Sequence, residues 1–361
     1  MNKAIIGFVK TDFKDKILYR IKLDEFNKIA KALGYEVVDE IIQTNSKIDS
    51  SYVFGKGKIE ELKFLINEYG VDSLLIYNVL NSMQKINLED YLNVKVLDRY
   101  DLILEIFELN AGDSISKFQI ELARIERMIP YVRKRASIMY FRDRPGPRSL
   151  GEYAYHKTIA QLTSRKKRIK EKLEKYRLFK KIQREKRKEL NIPIVALCGF
   201  YGAGKTTLFN ALTNLNKEVK GIPFTTLSSK NYMIKREGKS LIIMDTIGFA
   251  FDIDPLIIKS FEVTLEDLKE ANLNLLVLDA SDDEIVFEEK IKTNLNILRE
   301  LEIEDKKIIP ILNKTDLIDK EDLMNKIKIT KNYFVNESIH ISAYYKYNLD
   351  MLIKKILNFI S

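Results

Sequence analysis

The sequence predicts an α/β protein whose C-terminal part holds a mixed, mostly parallel sheet with helices on both faces, and three observations lead to this fold class. Apolar strand-like runs alternate with helical patterns over about the first hundred residues. Apolar residues between Phe118 and Tyr176 then recur at spacings of three and four. Beyond them, several β-branched runs each end in a turn of small or polar residues. The expected parts are a small parallel α/β domain (1–112), an antiparallel helical hairpin (113–190) and a larger α/β domain (191–361).

The N-terminal domain is predicted from the alternation of strand and helix patterns. The expected strands are Ala4–Val9, Tyr35–Ile42, Ser73–Tyr77 and Val94–Leu97. Helical faces lie between the first three of them, and Gly34 and Gly70 follow these two faces at the position where glycine commonly ends a helix. Such alternation favours a parallel sheet, because parallel strands need a crossover that a helix supplies.

The helical hairpin is predicted from two apolar seams on either side of a Pro/Gly-containing segment, residues 141–148. The first seam consists of Phe118, Leu122, Ile125, Ile129 and Val132, and the second of Ile159, Leu162, Ile169, Leu173 and Tyr176. Spacings of three and four are typical of a helix that pairs with another helix. Asn191-Ile192-Pro193 is expected to end the second helix.

Composition excludes several classes of protein. Forty-five percent hydrophobic and 31% charged residues are typical of a globular protein. The single cysteine, Cys198, excludes an internal disulfide and is read as a buried structural thiol. Two histidines and no Cys-x-x-Cys pattern leave a structural zinc site without ligands. Without a signal peptide or an apolar run of transmembrane length, we expect a cytoplasmic protein with no membrane partner.

The positive charge of the chain belongs to one element. The net charge is +9, but the stretch 165–188 alone holds fourteen Lys or Arg against three Glu, a local balance of +11. Arg142, Arg144 and Arg148 lie near Tyr140 and Phe141 at the expected tip of the hairpin. A solvated helix face is the plain alternative, but arginines beside aromatic rings are suited to phosphate contacts and base stacking in structured RNA. We therefore predict RNA binding by the hairpin.

A phosphate-binding loop is predicted at Gly199–Thr206, whose sequence GFYGAGKT fits the pattern G-x-x-x-x-G-K-[ST]. It follows the strand-like run Ile194–Cys198 and precedes the helical run Thr207–Leu212, which is the context that the pattern requires. Backbone N–H groups in such a loop surround phosphate oxygens, Lys205 reaches the β- and γ-phosphates, and the Thr206 hydroxyl binds Mg²⁺. The candidate phosphate-binding residues are Gly199, Tyr201, Gly202, Ala203, Gly204, Lys205, Thr206 and Thr207.

Two further segments are predicted to complete the triphosphate site. Asp245-Thr246-Ile247-Gly248 ends a strand-like run, so that Asp245 can hold the Mg²⁺ shell and the Gly248 N–H can contact the γ-phosphate. In the segment 224–227, Thr226 is preferred over Thr225 as the threonine that closes on Mg²⁺. We therefore expect Lys205, Thr226 and Gly248 to serve catalysis, and Thr206, Thr226 and Asp245 to serve the metal. A plain surface threonine pair is the alternative for 225–226.

Guanine recognition is predicted from two segments near the C-terminus. Asp316 in the sequence Asn313-Lys314-Thr315-Asp316 would accept protons from N1 and N2 of guanine, whereas adenine would leave that carboxylate unpaired. Asn313 would brace the loops and contact the base, and the stem of Lys314 would lie over it. Ser342-Ala343 would present a backbone N–H to the guanine oxygen. A metabolic kinase or ATPase is disfavoured by Asp316.

The residue after Gly248 is Phe249, where signalling GTPases of the Ras kind carry a glutamine that orients the attacking water. A phenyl ring can neither orient water nor accept a proton. We therefore predict slow intrinsic hydrolysis of GTP that rises on a macromolecular partner.

The chain resembles the HflX-type GTPases, a ribosome-associated family related to translation factors. The matching segments are Tyr52–Leu62, Leu102–Phe107, Lys117–Ala123, Gly199–Thr206, Phe224–Leu227 and Asp245–Phe249. The resemblance implies a GTP-hydrolysing, Mg²⁺-dependent factor that binds the large ribosomal subunit and its RNA through its N-terminal and helical parts. It would act in splitting or release of stalled ribosomes, or in assembly. A non-ribosomal RNA-binding GTPase switch is the alternative, and we expect a monomer.

Three departures from the family pattern limit what the resemblance implies. Gly202 stands where the family usually has an asparagine that helps to hold K⁺, which argues against potassium dependence. Thr206 replaces the usual serine and keeps the hydroxyl. The family's hairpin loop appears only as Gly151–Ala154, in a shorter and more arginine-rich form, so its contacts are not transferred. Gly55–Lys58 is too short for a second phosphate loop, and an N-terminal ATPase activity is not carried over.

Overall fold

The computed structural model describes residues 2–143, 150–215, 223–224 and 230–360. By their contacts, these residues belong to two compact units. The first unit contains residues 1–109 and 117–174, and the second contains 110–116 and 175–361. The three-domain boundaries expected from the sequence remain a prediction.

The first unit is built on a four-stranded sheet in which every strand pair is parallel. Its strands are β1 (Asn2–Lys10), β2 (Tyr35–Thr44), β3 (Ser73–Ile76) and β4 (Lys95–Asp98), in the order β2-β1-β3-β4. The helices between and after them are α1 (Leu18–Ala32), α2 (Lys56–Tyr69), α3 (Ser82–Leu92) and α4 (Arg99–Asn110). The expected parallel α/β sheet is thereby confirmed, because each strand is followed by a helix that returns the chain to the same edge.

Helix ends in the first unit follow the local chemistry of the sequence. Gly70 ends α2 in the left-handed region at φ +61°, as the sequence predicts. Helix α3 was not predicted, although its start carries a clear signal. Asn81 accepts a hydrogen bond from the Gln84 backbone, and the Gln84 side chain accepts one from the Asn81 backbone. This reciprocal cap fixes the first turn of α3.

Side chains close the edge of this sheet where the carboxyl ends of β1 and β3 meet. The Asn78 side chain accepts a hydrogen bond from Val9 N at 2.7 Å and donates one to Val9 O at 2.9 Å. Gly7 in β1 lies under the Phe54 ring, so that a Cβ at this position would come within 2.7 Å of Phe54 Cζ. The backbone at the centre of this edge is therefore bonded and covered by the chain itself.

Two long helices follow, α5 (Ser114–Asp143) and α6 (Leu150–Glu189). Within the first unit they pair in opposite directions. Arg165 forms an ion pair with Glu121, and Lys172 lies over the Phe118 ring at 4.5 Å. Glu126 lies later in α5 than Phe118, and its partner Lys166, at 3.0 Å, lies earlier in α6 than Lys172, so the two helices run in opposite directions. The expected antiparallel helical hairpin is confirmed. Residues 144–149, which hold Arg144 and Arg148, lie outside the described part of the chain.

The second unit holds a six-stranded sheet. Its strands are β5 (Ile194–Cys198), β6 (Lys230–Arg236), β7 (Lys239–Asp245), β8 (Leu273–Asp279), β9 (Ile308–Asn313) and β10 (Ile339–His340). The order is β10-β9-β8-β5-β7-β6, with β6 antiparallel to β7 and the other pairs parallel. The mixed, mostly parallel sheet predicted from the sequence is confirmed.

Helices surround this sheet and cover its apolar strands. They are α7 (Lys205–Thr213), α8 (Pro255–Ser260), α9 (Glu262–Lys269), α10 (Glu284–Glu300), α11 (Lys320–Lys331) and α12 (Leu349–Ile360). Val195 and Leu197 of β5 and Leu275 and Val277 of β8 are fully buried in the core between them. Strand β5 is central, and the chain returns to β7 on one side and to β8 on the other. A loop after β5 therefore lies at the point where the strand order reverses, which is the usual ligand edge of such a sheet.

Among the described residues, no helix has both the length and the apolar character needed to cross a membrane.

Candidate nucleotide-binding site

The loop between β5 and α7 has a backbone that only glycines can adopt at two of its positions. Gly199 has φ +131°, and a Cβ there would collide with the backbone carbonyl of Val277. Gly204 has φ +92°, and a Cβ there would collide with the Asn313 amide nitrogen. Gly202 is also left-handed, at φ +77°, but apart from its two chain neighbours no described residue has an atom within 4 Å of its Cβ position. The predicted strand–loop–helix arrangement at Gly199–Thr206 is present, with Gly204 capping α7.

Lys205 is buried at the base of this loop. Its Nζ donates to the carbonyl oxygens of Gly199 at 2.9 Å and Phe200 at 2.7 Å. Burial lowers the pKa of Lys205 to about 8, while the nearby Asp245 carboxylate acts in the opposite direction. The ammonium is thus held inside the loop that it is predicted to serve. Burial also raises the pKa of the neighbouring Cys198 thiol to about 12, in agreement with a structural thiol.

Thr206 and Asp245 lie side by side, as the sequence predicts for two residues of a Mg²⁺ site. The Thr206 hydroxyl donates to Asp245 Oδ2 at 3.1 Å, and Asp245 is fully buried at the end of β7. A hydroxyl and a carboxylate oxygen in contact are hard oxygen ligands, which Mg²⁺ prefers. The residues present therefore fit the ion.

The segment after Asp245 is fastened to the loop through its backbone. Tyr201 N donates to Phe249 O at 2.9 Å, and Phe249 N donates to Gly199 O at 3.0 Å. A Cβ on Gly248 would come within 3.1 Å of Tyr201 backbone atoms and 3.2 Å of Lys205 Nζ. Gly248 therefore lies directly against the loop and the lysine. The Phe249 side chain is buried, so it holds the segment in place and presents no group to water.

Asn313 joins the phosphate loop to the predicted base-binding loop. Its Nδ2 donates to Ala203 O at 2.8 Å, and its Oδ1 accepts from Ala343 N at 3.0 Å. Asn313 therefore links the two loops, and both of its amide atoms take part in this link, whereas its predicted contact with the base stays a prediction. Ala343 N–H is also committed, so a guanine oxygen would need another donor in the segment that begins at Ser342.

Lys314 and Asp316, the two residues predicted to recognise the base, lie in the turn that follows β9. Lys314 has φ +65°, and its ammonium pairs with the Asp279 carboxylate, which fixes the direction of its stem. Asp316 lies in a short 3-10 helix, Thr315–Leu317, where its carboxylate is exposed and has no intramolecular partner among the described residues. Sequence reasoning missed Asp279, although an acidic residue at the end of a buried strand was a usable signal.

Of the remaining predicted site residues, the structure describes Thr207 and Ser342 but not Thr226. Thr207 lies half-buried in the first turn of α7. Ser342 is buried, and its hydroxyl accepts a hydrogen bond from Tyr345 N at 3.2 Å. Thr226 lies outside the described residues. The preceding Phe224 is buried against the Tyr201 ring, with 5.1 Å between ring centroids.

Several cations of the basic run on α6, residues 165–188, form ion pairs within the protein, which sequence reasoning missed. Within the second unit, three cations of α6 contact the acidic face of α9. Arg177 pairs with Glu262 and Glu266, Lys180 with Asp267, and Arg184 with Glu266, Asp267 and Glu270. The cations of this run that are exposed and have no ion pair with a described residue are Lys167, Arg168, Lys172, Lys175, Lys181 and Lys186, of which Lys172 lies over the Phe118 ring. The surface available for RNA is therefore smaller than the charge count suggests.

Comparison with known proteins matches both halves of the chain. A family profile described as "GTP-binding GTPase N-terminal" matches residues 20–108. A second, described as "50S ribosome-binding GTPase", matches residues 194–314 and so includes the phosphate loop, Asp245–Gly248 and Asn313.

Two similar proteins carry the same name. A GTPase HflX of Thermococcus kodakarensis is 36% identical over 324 residues, which is 90% of this chain and 72% of that protein. A GTPase HflX of Methanocaldococcus jannaschii is 33% identical over 344 residues, covering 95% of this chain and 84% of that protein. Among solved structures, SsGBP in complex with GDP is 28% identical, covers 100% of this chain and 98% of its own, and aligns with a TM-score of 0.53.

Proposed function

The chain belongs to the HflX family of GTPases, and we propose that it acts as a nucleotide-dependent factor on the large ribosomal subunit. GTP would favour the bound state and hydrolysis would favour release. The step served would be the splitting or release of stalled ribosomes, or subunit assembly. The alternative is a GTPase switch on a non-ribosomal RNA.

The observation that carries the nucleotide assignment is the Asn313 bridge. One amide group ties the phosphate loop at Ala203 to the base loop at Ala343, so both ends of a bound nucleotide meet one fixed frame. The exposed Asp316 carboxylate follows three residues later in the chain. This arrangement supports GTP over ATP, because a guanine offers two donors to a carboxylate and an adenine offers none in that position.

The proposed chemistry is positioning and charge stabilisation. Lys205 Nζ would exchange its two loop carbonyls for β- and γ-phosphate oxygens, and the Gly248 N–H would contact the γ-phosphate. Thr206 and Asp245, with Thr226, would hold Mg²⁺, which when bound neutralises charge on the phosphates. Glycine suits position 248 because a side chain there would press against Tyr201 and Lys205.

Hydrolysis by the isolated protein should be slow. The Phe249 side chain is buried and its backbone is bonded to the phosphate loop, so this residue cannot orient water. A single-turnover assay with and without ribosomal subunits tests this. We expect the rate of GTP hydrolysis to rise on the large subunit. Fast turnover that no partner changes would contradict the proposal.

Binding to the ribosome is supported by the family profile and by unpaired charge on the hairpin. Lys167 and Arg168 are exposed on α6 in the first unit. The double variant Lys167→Glu with Arg168→Glu should weaken RNA binding and reduce its dependence on salt concentration. The matched control is Lys320→Glu with Lys354→Glu, two exposed lysines of the second unit. Equal loss in both double variants would show a general charge effect and contradict a role for the hairpin.

Co-sedimentation with purified ribosomal subunits, in the presence of a GTP analogue, GDP or no nucleotide, decides between the two functions. We expect binding to the large subunit that is strongest with the GTP analogue. Equal affinity for subunits and for naked tRNA would favour the non-ribosomal switch.

A further inference from the structure

The C-terminal part of α6 exposes three large apolar side chains, whereas three of its cations, Arg177, Lys180 and Arg184, face α9. Leu178, Phe179 and Ile182 are 54%, 55% and 53% exposed. At about 100° per residue, they lie on the side of the helix opposite Arg177 and Arg184. A surface helix normally has the reverse arrangement, with its apolar side facing the protein.

The inward charges explain how this helix is held without burying its apolar side. Arg184 is 14% exposed and contacts Glu266 at 3.3 Å, and Lys180 is 16% exposed and contacts Asp267 at 2.5 Å. These ion pairs fasten one side of α6 to α9. The other side is left with three large apolar groups within little more than one turn. Such a cluster on an exposed helix commonly marks a contact with another molecule.

The order of the residues around this cluster suggests what covers it. Leu178 and Ile182 lie at equal distances from position 180, and so do Lys175 and Glu185. If a second copy of the helix is placed antiparallel about position 180, Leu178 meets Ile182 of the other copy and Lys175 meets its Glu185. A contact with two-fold symmetry requires this self-complementarity.

Charge and shape therefore point to a second copy of the chain. Lys175 and Glu185 are both exposed and have no ion pair with a described residue, so both are available to such a contact. Two of the three exposed apolar side chains, Leu178 and Ile182, are aliphatic and cannot stack on a base as the Phe179 ring can, which favours side-chain packing. We propose that the chain self-associates through an antiparallel, two-fold contact of α6 centred on position 180.

The proposed dimer is weak and reversible. Packed helices cross at an angle, so contact is confined to about two turns on either side of the crossing point. The buried area is then well below that of a standard stable interface, which is about 1,600 Å² in total. Self-association should therefore depend on protein concentration. The monomer expected from the sequence would be the species at low concentration.

Sedimentation velocity of the full chain over a wide concentration range, with GDP and without RNA, tests the proposal. We expect a concentration-dependent shift from monomer to dimer that Ile182→Ser or Phe179→Ser weakens at least tenfold. The matched control is Ile285→Ser, which removes an isoleucine that is 50% exposed on α10. A chain that stays monomeric at every concentration, or equal weakening by Ile285→Ser, would overturn the proposal.

A charge exchange tests the antiparallel register. Lys175→Glu and Glu185→Lys should each weaken the dimer, because each places like charges opposite one another, and the double variant should restore it. A double variant weaker than both single variants would overturn the register. GTP affinity of every variant, measured in parallel, confirms that the fold is intact. If the chain associates only when structured RNA is added, the face belongs to RNA and the proposed self-contact is wrong.

Discussion

The two sheets of this protein differ in what lies at the edge where their strand order reverses. Both are wound around a central parallel strand, and in both the strand order reverses beside it. In the first sheet, the Asn78 side chain bonds both backbone groups of Val9, and Phe54 covers Gly7. In the second, a glycine loop leaves the end of β5 and encloses the Lys205 ammonium.

The difference shows that a ligand edge is a property of its residues and not of the fold. A crevice at the strand-order reversal is common to both sheets. Of these two edges, as far as the structure describes them, the one after β5 has a loop with left-handed glycines and a cation bonded to its carbonyls. In the first sheet a single asparagine satisfies the same kind of backbone groups. We therefore expect nucleotide binding at the second sheet alone, and the following predictions test this contrast.

Replacing Lys205 should have the largest effect. Lys205→Ala removes two charge-assisted contacts to phosphate, which predicts a loss of GTP affinity of about a hundredfold or more. Burial already disfavours the charge, as its lowered pKa shows, so the free energy of unfolding should fall little. Isothermal titration calorimetry with GTP and a thermal melt measure the two effects.

The matched control for Lys205→Ala is Lys10→Ala. Lys10 ends the central strand of the first sheet, where its ammonium donates to Asp15 O and lies 4.7 Å from the Tyr19 ring centroid. GTP affinity should be unchanged in this variant. A comparable loss would mean that the first sheet also serves the nucleotide, and the contrast between the two edges would be lost.

The exposed Asp316 carboxylate should decide which base binds. Asp316→Asn replaces an acceptor by an amide, which predicts a loss of GTP affinity of about ten- to a hundredfold and a gain for xanthine nucleotides. Competition of GTP, XTP and ATP against a fluorescent nucleotide measures this. Glu321→Gln, a neighbouring exposed acid on α11, is the control and should leave the ranking unchanged. Unaltered GTP preference in Asp316→Asn would refute the base assignment.

The two bridging asparagines offer a direct comparison of the two edges. Asn313→Ala releases Ala203 O and Ala343 N, and Asn78→Ala releases both backbone groups of Val9. Each should lower the free energy of unfolding by about 1–3 kcal/mol, because a buried polar group loses its partner. Only Asn313→Ala should also weaken GTP binding. Chemical denaturation and calorimetry on both variants separate stability from affinity, and a loss of GTP affinity in Asn78→Ala would contradict the contrast.

Short-range patterns carried most of the successful prediction. The strand, loop and helix around Gly199–Thr206 are contiguous in sequence, and so is the αL cap at Gly70. Long-range partners could not be predicted in this way. Asn313 bonds Ala203 across 110 positions and Arg184 pairs with Glu266 across 82, and no local pattern indicates which residues meet. The charge run on α6 was therefore interpreted as free surface, whereas Arg177, Lys180 and Arg184 form ion pairs with α9.

Helix α3 was missed for a different reason. Of its buried apolar residues, Leu88 and Leu92 have the helical spacing of four, but Ile86 lies only two positions before Leu88, so the repeat was too short to be recognised. The capping pair Asn81 and Gln84 was present in the sequence and would have marked the start.

The smallest predicted effect concerns Gly202, where the phosphate loop departs from its family. Gly202 has φ +77° and empty space around its Cβ position, and asparagine is among the side chains that tolerate this backbone. Gly202→Asn should therefore fold and place an amide oxygen where the family's asparagine helps to hold K⁺. We expect hydrolysis of GTP to become severalfold faster in K⁺ than in Na⁺, whereas the wild-type chain should show little difference.

Gly202→Ala separates the oxygen from the backbone change, because it carries the same left-handed strain of about 1–2 kcal/mol without a ligand for the ion. Potassium stimulation in Gly202→Asn but not in Gly202→Ala would show that the loop needs only this one oxygen to accept the cation. Equal rates in K⁺ and Na⁺ for all three proteins would mean that an oxygen at position 202 is not enough, and that other parts of the site, such as the buried Phe249, also prevent stimulation by K⁺. Binding and hydrolysis would then be separate properties of the second edge, since the loop could bind a nucleotide and still depend on a partner to hydrolyse it.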